Sequence, residues 1–202
     1  PAVRKRIRAE VERRIFEPYL TSIRQGKTRG NWWIRGTNNW NAVCTASVVG
    51  TALALVQETE ERAEFLAAME VSNPYFLQGF MDDGYCSEGM GYWNYGFGHY
   101  MMMGYLVDRA TDGQLDILGG EKLKRIAAFA RDLQIEPGVS PAFADCSIGA
   151  KASASLLVLI KRYFPEAVPR DVTTELLGGS PISVGIYAFG GFLLPDESTT
   201  AV

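Results

Sequence analysis

Apolar positions fall into helical register almost from the first residue of this chain. Val3, Ile7, Val11 and Ile15 recur every fourth position, which places one apolar stripe along a helix over 2–16. Pro18 then interrupts the pattern, because proline has no N–H for the helical ladder, and a short second helix is expected to about Gln25. "GKTRGN" (26–31) reads as a loop by its glycines and polar residues, and "WWIRGTNNWN" (32–41) as mostly irregular chain. From Trp40 or Asn41 the sequence "AVCTASVVGTALALV" is apolar nearly all round, the mark of a buried helix. Ala46, Ser47, Gly50 and Ala54 are small enough to let neighbouring helices approach, and Thr37, Asn38 or Asn39 is the expected N-cap.

Residues 58–72 form an amphipathic pattern with acids in the first turn, where the helix dipole favours them. Pro74 is expected to open another short helix to about Met81. A glycine-rich loop follows, then helices at about 91–110, 120–134 and 149–164, with "IEPGVSPAFADCS" as the loop before the last. "RDVTTELLGG" reads as a short helix with a glycine stop, and "ISVGIYAFGGFLL" as a strand or the start of another domain. The expectation is an all-α domain over 1–181, with 182–202 a tail or the start of a β domain. Buried helices alternate with amphipathic ones, which suits a helical double layer with inner helices around a cleft. The loops before the inner helices, "RGTNNW", "DDGYCSEGMG" and "PAFADCS", would then share one rim, and polar connections on a rigid scaffold are where function concentrates.

Composition removes whole classes of function. The chain has 202 residues, 47% hydrophobic and 21% charged, enough for a sizeable core. With a net charge of −3, and basic residues from Arg4 to Arg14 interleaved with Glu10 and Glu12, nothing points to nucleic acid. No apolar run reaches the ~18 residues of a membrane span. The charged start lacks the apolar core of a signal peptide, and its first residue is proline, so the chain reads as a mature or excised one whose export signal is not visible. Cys44, Cys86 and Cys146 fit neither a zinc pattern nor a disulfide framework, and three buried free thiols are expected. His99 is the single histidine, so a metal site of the usual kind is not expected. No phosphate-binding loop or nucleophile elbow occurs, and no cofactor is expected.

The densest chemistry lies in "DDGYCSEGMGYWNYGFGHYMMM" (82–103). At helical spacing, Tyr92, Tyr95 and His99 share one face, while Trp93, Phe97 and Tyr100 fall on the other and can pack. Asp82, Asp83 and Glu88 precede that helix. They read either as turn and cap residues or as an acid–base pair, the arrangement of an inverting glycoside hydrolase with Asp83 and Glu88. Asn38, Asn39 and Asn41 stand at the start of a buried helix, where free N–H groups and the helix dipole favour an anion such as a carboxylate. Arg35 would add positive charge there. Trp32, Trp33 and Trp40 would stack on sugar faces or fill the core.

Together, "TNNWNAVCTASVVGTALAL", "DGYCSEGMGYWNYG" and "AFADCS" resemble the helical domain of the heparinase II/III-like polysaccharide lyases, mainly over residues 30–150. The resemblance implies an incomplete α/α toroid followed by a β-sandwich domain, in a secreted or periplasmic protein. It implies cleavage of an acidic, uronate-containing polysaccharide or oligosaccharide by β-elimination. By the family's pattern, Asn38 and Asn39 match the positions that neutralise the uronate carboxylate, and Tyr95, with Tyr92 as second choice, matches the catalytic tyrosine. Arg35, Trp40, Glu88, His99 and Asp145 complete the expected substrate-binding set. A phenol, with an ordinary pKa near ~10, donates a proton readily and becomes a base only where its charged form is stabilised. The chain departs from the pattern in carrying Asn-Asn-Trp-Asn where many active members have a His. A second His or Tyr commonly comes from the β-sandwich.

Overall fold

A computed structural model of the protein describes residues 2–170 and 172. All regular structure among them is helical, and the β pairing is a single isolated bridge between Glu136 and Val139. The expected short helix at 170–179, the strand at 182–194 and the domain boundary near 181 lie outside the described residues. No helix among the described residues is long and apolar enough to cross a membrane.

Helix α1 (Ala2–Val11) passes through a π-helical turn (Glu12–Phe16) into α2 (Glu17–Gln25), so Pro18 does not break the run as its ring suggests. The π turn explains this. The Glu17 N–H reaches the Glu12 carbonyl, so the ladder has shifted register before it meets the proline. The apolar stripe of the first helix forms, and among the described residues its outer part stays uncovered: Val3 is 71% exposed and Ile7 54%, while Val11 is half-buried against the small core. Burial begins at Phe16 and Tyr19, which pack with Ile34, Val48, Phe65 and Ala68 in a small core of their own.

Helix α3 (Asn39–Leu55) is central and packs against both α4 (Thr59–Gln78) and α6 (Gly98–Ala110). Its Ala42, Ala46, Val49 and Ala52 are fully buried, as its apolar circumference predicts. The sequence places a new helix at Pro74, yet α4 continues through it. The proline removes one ladder bond, to the carbonyl of Glu70 four residues back, and Glu70 is exposed, so water can take that place. On the inner side the chain is held by Asn41, whose amide reaches the Ser72 carbonyl at 3.1 Å.

Helix α5 (Gly89–Tyr92), a second π turn (Trp93–Phe97) and α6 form one continuous helical run. Trp93, Phe97 and Tyr100, the expected packing stripe, are 0%, 0% and 2% exposed. They join Met90, Met101, Met102 and Met103 in the main core with α7 (Glu121–Asp132) and α8 (Ala154–Tyr163). The three cysteines are free thiols as expected, but only Cys86 is buried; Cys44 and Cys146 are half-buried. Burial pushes the Cys86 thiol up to about 11, which makes it unreactive at neutral pH.

Asn41 pins this framework to the rim. Besides Ser72, its fully buried amide nitrogen donates to the carbonyls of Trp33 at 3.1 Å and Ile34 at 2.9 Å. These lie in the 3₁₀ turn (Trp32–Arg35) that leads into α3. Asn41→Ala takes a donor from the buried carbonyls of Ile34 and Ser72 and the part-buried one of Trp33, and is expected to cost about 2–3 kcal/mol. Chemical denaturation measures this; a change below about 0.5 kcal/mol would show that water replaces the amide.

Candidate functional site

The start of α3, the run from Glu88 to Tyr95 and the loop before α8 meet around one pocket of about 340 Å³. Asn38, Asn39, Trp40 and Val43 come from the first segment, Glu88, Tyr92 and Tyr95 from the second, and Asp145 from the third. A smaller hollow of about 260 Å³ adjoins it and shares Asn38, Glu88 and Tyr92. The three sequence loops expected on one rim therefore do converge.

The asparagines divide their work. Asn38 caps α3: its Oδ1 accepts from the Trp40 N–H at 3.2 Å, which leaves its amide NH₂ as the donor it can offer a ligand. Asn39 is 8% exposed at the pocket wall, and its backbone N–H donates to the Glu88 carboxylate. Glu88 thus already takes part of the anion-binding capacity of this helix start. Asn41 faces inward and is a structural pin, as its three carbonyl partners show.

Close approach of the tyrosine helix to α3 requires glycine at 96. A Cβ there would lie 3.1 Å from both Cα and Cβ of Asn39 and 3.2 Å from the Phe76 ring. At the other end of the run, Gly89 has φ +82°, and a Cβ would come within 2.7 Å of the Phe143 carbonyl. Both positions need glycine for the tyrosines to face Asn38 and Asn39 across the pocket.

His99 and Arg35 are not among the lining residues. The π turn gives the reason for His99. Its i→i+5 bonds rotate the residues that follow, so the even α-helical spacing of Tyr92, Tyr95 and His99 does not hold. His99 is buried behind Tyr95, 4.9 Å from its ring and edge-on at 78°. Its Nδ1 lies 2.6 Å from the Tyr95 carbonyl, an acceptor only, so Nδ1 carries the proton. Burial lowers the His99 pKa, which keeps the ring neutral. Arg35 is exposed and reaches back to the Gly26 carbonyl at 3.3 Å. Asp83 closes a turn by accepting from the Tyr85 N–H at 2.9 Å, and Asp82 is exposed with Lys122 at 3.7 Å. Neither aspartate lines the pocket.

Of the three tryptophans near the rim, Trp33 belongs to the core, stacked on Tyr19 at 5.5 Å and 10°. Trp32 and Trp40 face water together, their rings 5.8 Å apart. Asn94 contributes a function that the sequence did not assign to it. Its side-chain amide donates to the Lys151 carbonyl at 2.7 Å and its Oδ1 accepts from the Ser153 N–H at 2.8 Å. The loop carrying Asp145 is thereby tied to the tyrosine helix. An asparagine inside a helix competes with the backbone unless a distant partner engages it, and that was the available signal.

No known family model and no curated protein matches this chain. Among the described residues, no group of three or more His, Cys, Asp and Glu side chains could hold a metal ion.

Glu88 is the electrostatically unusual member of the pocket. Burial pushes its carboxyl pKa up, the Asn39 N–H opposes this, and the Asp145 charge adds to the rise. The folded state thus holds the Glu88 proton more tightly than the unfolded chain. Its contribution to stability is present below the ordinary value of 4.5 and is lost as pH rises through the raised one. Glu88→Gln is expected to flatten the fall in melting temperature as pH is raised from 4.5. An unchanged slope in the variant would place the shift elsewhere.

Proposed function

We propose that this chain is the helical part of a polysaccharide lyase and cleaves uronate-containing chains by β-elimination. In this reading the helices form an incomplete α/α toroid, a β-sandwich domain follows in the same protein, and the protein works in the periplasm or outside the cell. The observation that carries the proposal is the meeting of Asn38, Asn39, Tyr92 and Tyr95 in one pocket.

The uronate carboxylate is taken by the Asn38 amide, the Asn39 side chain and the start of α3. Their donors withdraw charge from the carboxylate and so acidify the C5 proton. A base removes that proton, the C5–H electrons form the C4–C5 double bond, and the C4–O4 bond breaks. Tyr95 protonates O4, and serves as base as well where its phenolate is stabilised. Fixed donors aimed at developing charge commonly contribute more to such catalysis than any other single effect. The full-length protein incubated with heparan-, alginate- or chondroitin-like chains should accumulate the ultraviolet absorbance of an unsaturated uronate. Binding without any product would leave a carbohydrate-binding domain.

The raised pKa of Glu88 supports a second reading, an inverting glycoside hydrolase. Glu88 would be the acid, with Asp145 as the second carboxylate, since Asp83 is held in its turn. New reducing ends without the ultraviolet band would decide for it.

A further inference from the structure

Among the described residues, no Lys, Arg or His lines the main pocket or the one beside it. The pocket holds two carboxyl groups instead, Glu88 and Asp145, near enough for the Asp145 charge to act on Glu88. Asp145 belongs to the loop that Asn94 ties down at 151 and 153. At the α3 side of the pocket, Trp32 and Trp40 are 55% and 53% exposed, with rings tilted by 57°. The two rings, in contact beside a polar pocket, offer an apolar face to a ligand. An aromatic face matches the C–H face of a sugar ring.

Resting on the elimination reading, we propose that this site selects uronate chains without sulfate esters. Trp32 and Trp40 grip the neighbouring sugar, and the Asp145 and Glu88 carboxylates exclude sulfated chains. The charge arithmetic supports the selection. One uronate carboxylate is matched by the amide donors of Asn38 and Asn39 and by the start of α3. Each sulfate brings a further negative charge that finds no cation among the described lining residues and faces an acid instead, a repulsive element of the kind that creates specificity.

The test is calorimetric binding of the full-length protein to an unsulfated uronate oligosaccharide and to the same backbone carrying sulfate esters. The unsulfated ligand is expected to bind at least about tenfold tighter, the effect of one unmatched charge near the surface. Its affinity should be nearly flat between about 50 and about 500 mM salt, because stacking and amide donors are not screened. Trp32→Ala should weaken it about tenfold without changing the melting temperature, and Asp145→Asn should narrow the gap between the ligands. Equal or tighter binding of the sulfated chain, or a steep loss of affinity with salt, overturns the proposal. If sulfated chains are preferred and the unsaturated product still forms, only the selectivity falls. If neither ligand binds and no product forms, the elimination reading falls with it.

Discussion

Tyr95→Phe removes one oxygen and is expected to lower turnover of a uronate chain about 10²–10⁴-fold, the usual worth of a positioned proton-transfer group. Binding should change little, because the ring and its surroundings remain. Tyr95 is 47% exposed, and its ring leans on His99 rather than filling the core, so the variant should also keep the wild-type melting temperature. Unsaturated product measured by absorbance, beside ligand affinity measured separately, reads the two effects apart. Tyr92→Phe is the control within the same pocket, with a smaller loss expected. A full rate for Tyr95→Phe with a large loss for Tyr92→Phe would exchange their roles. Full rates for both variants would remove tyrosine from the chemistry and end the elimination reading.

Two residues earlier the same motif is expected to answer in the opposite way. Trp93 is fully buried, and its Nε1 donates to the Ile126 carbonyl at 2.9 Å, which fastens the tyrosine helix to α7. The indole also stacks on Phe97 at 5.5 Å and meets Phe129 at 5.8 Å. Trp93→Ala leaves a cavity and removes the indole's bond to the Ile126 carbonyl, which keeps its partner within α7, and should cost about 3–5 kcal/mol. That is a large share of the ~5–15 kcal/mol by which domains are stable. Urea denaturation should show a lower midpoint with an unchanged slope. A loss below about 1 kcal/mol would mean that the indole is not the anchor between these helices. Trp93 and Tyr95 together thus separate a stability effect from a catalytic one within three residues.

Residue spacing made much of this legible. The circumference of α3 and the packing stripe of Trp93, Phe97 and Tyr100 follow from helical period, and loop chemistry marked the three polar connections as candidates for one rim. Local propensity misled where tertiary contacts compensated for it. Pro18 and Pro74 read as helix boundaries, yet a π turn carries the chain past the first, and at the second the unpaired ladder position falls at Glu70, an exposed residue, while Asn41 holds Ser72. The apolar stripe of α1 forms as its spacing predicts, and among the described residues none of that helix is fully buried.

The candidate site divides along the same line. Sequence alone determined which residue types stand at the rim: amides before a buried helix, tyrosines after a glycine-rich loop, an acid between them. It did so because helix capping, loop composition and the 3.6 period are local rules. Only the tertiary structure decided which of those residues meet. A π turn rotated His99 behind Tyr95, Arg35 turned back to Gly26, and Asp83 closed its own turn. Asp145 joined the pocket through Asn94 and through the close approach that Gly89 permits. Side-chain direction after an irregular turn, and contact between segments 57 and 59 residues apart, depend on packing that no local pattern encodes.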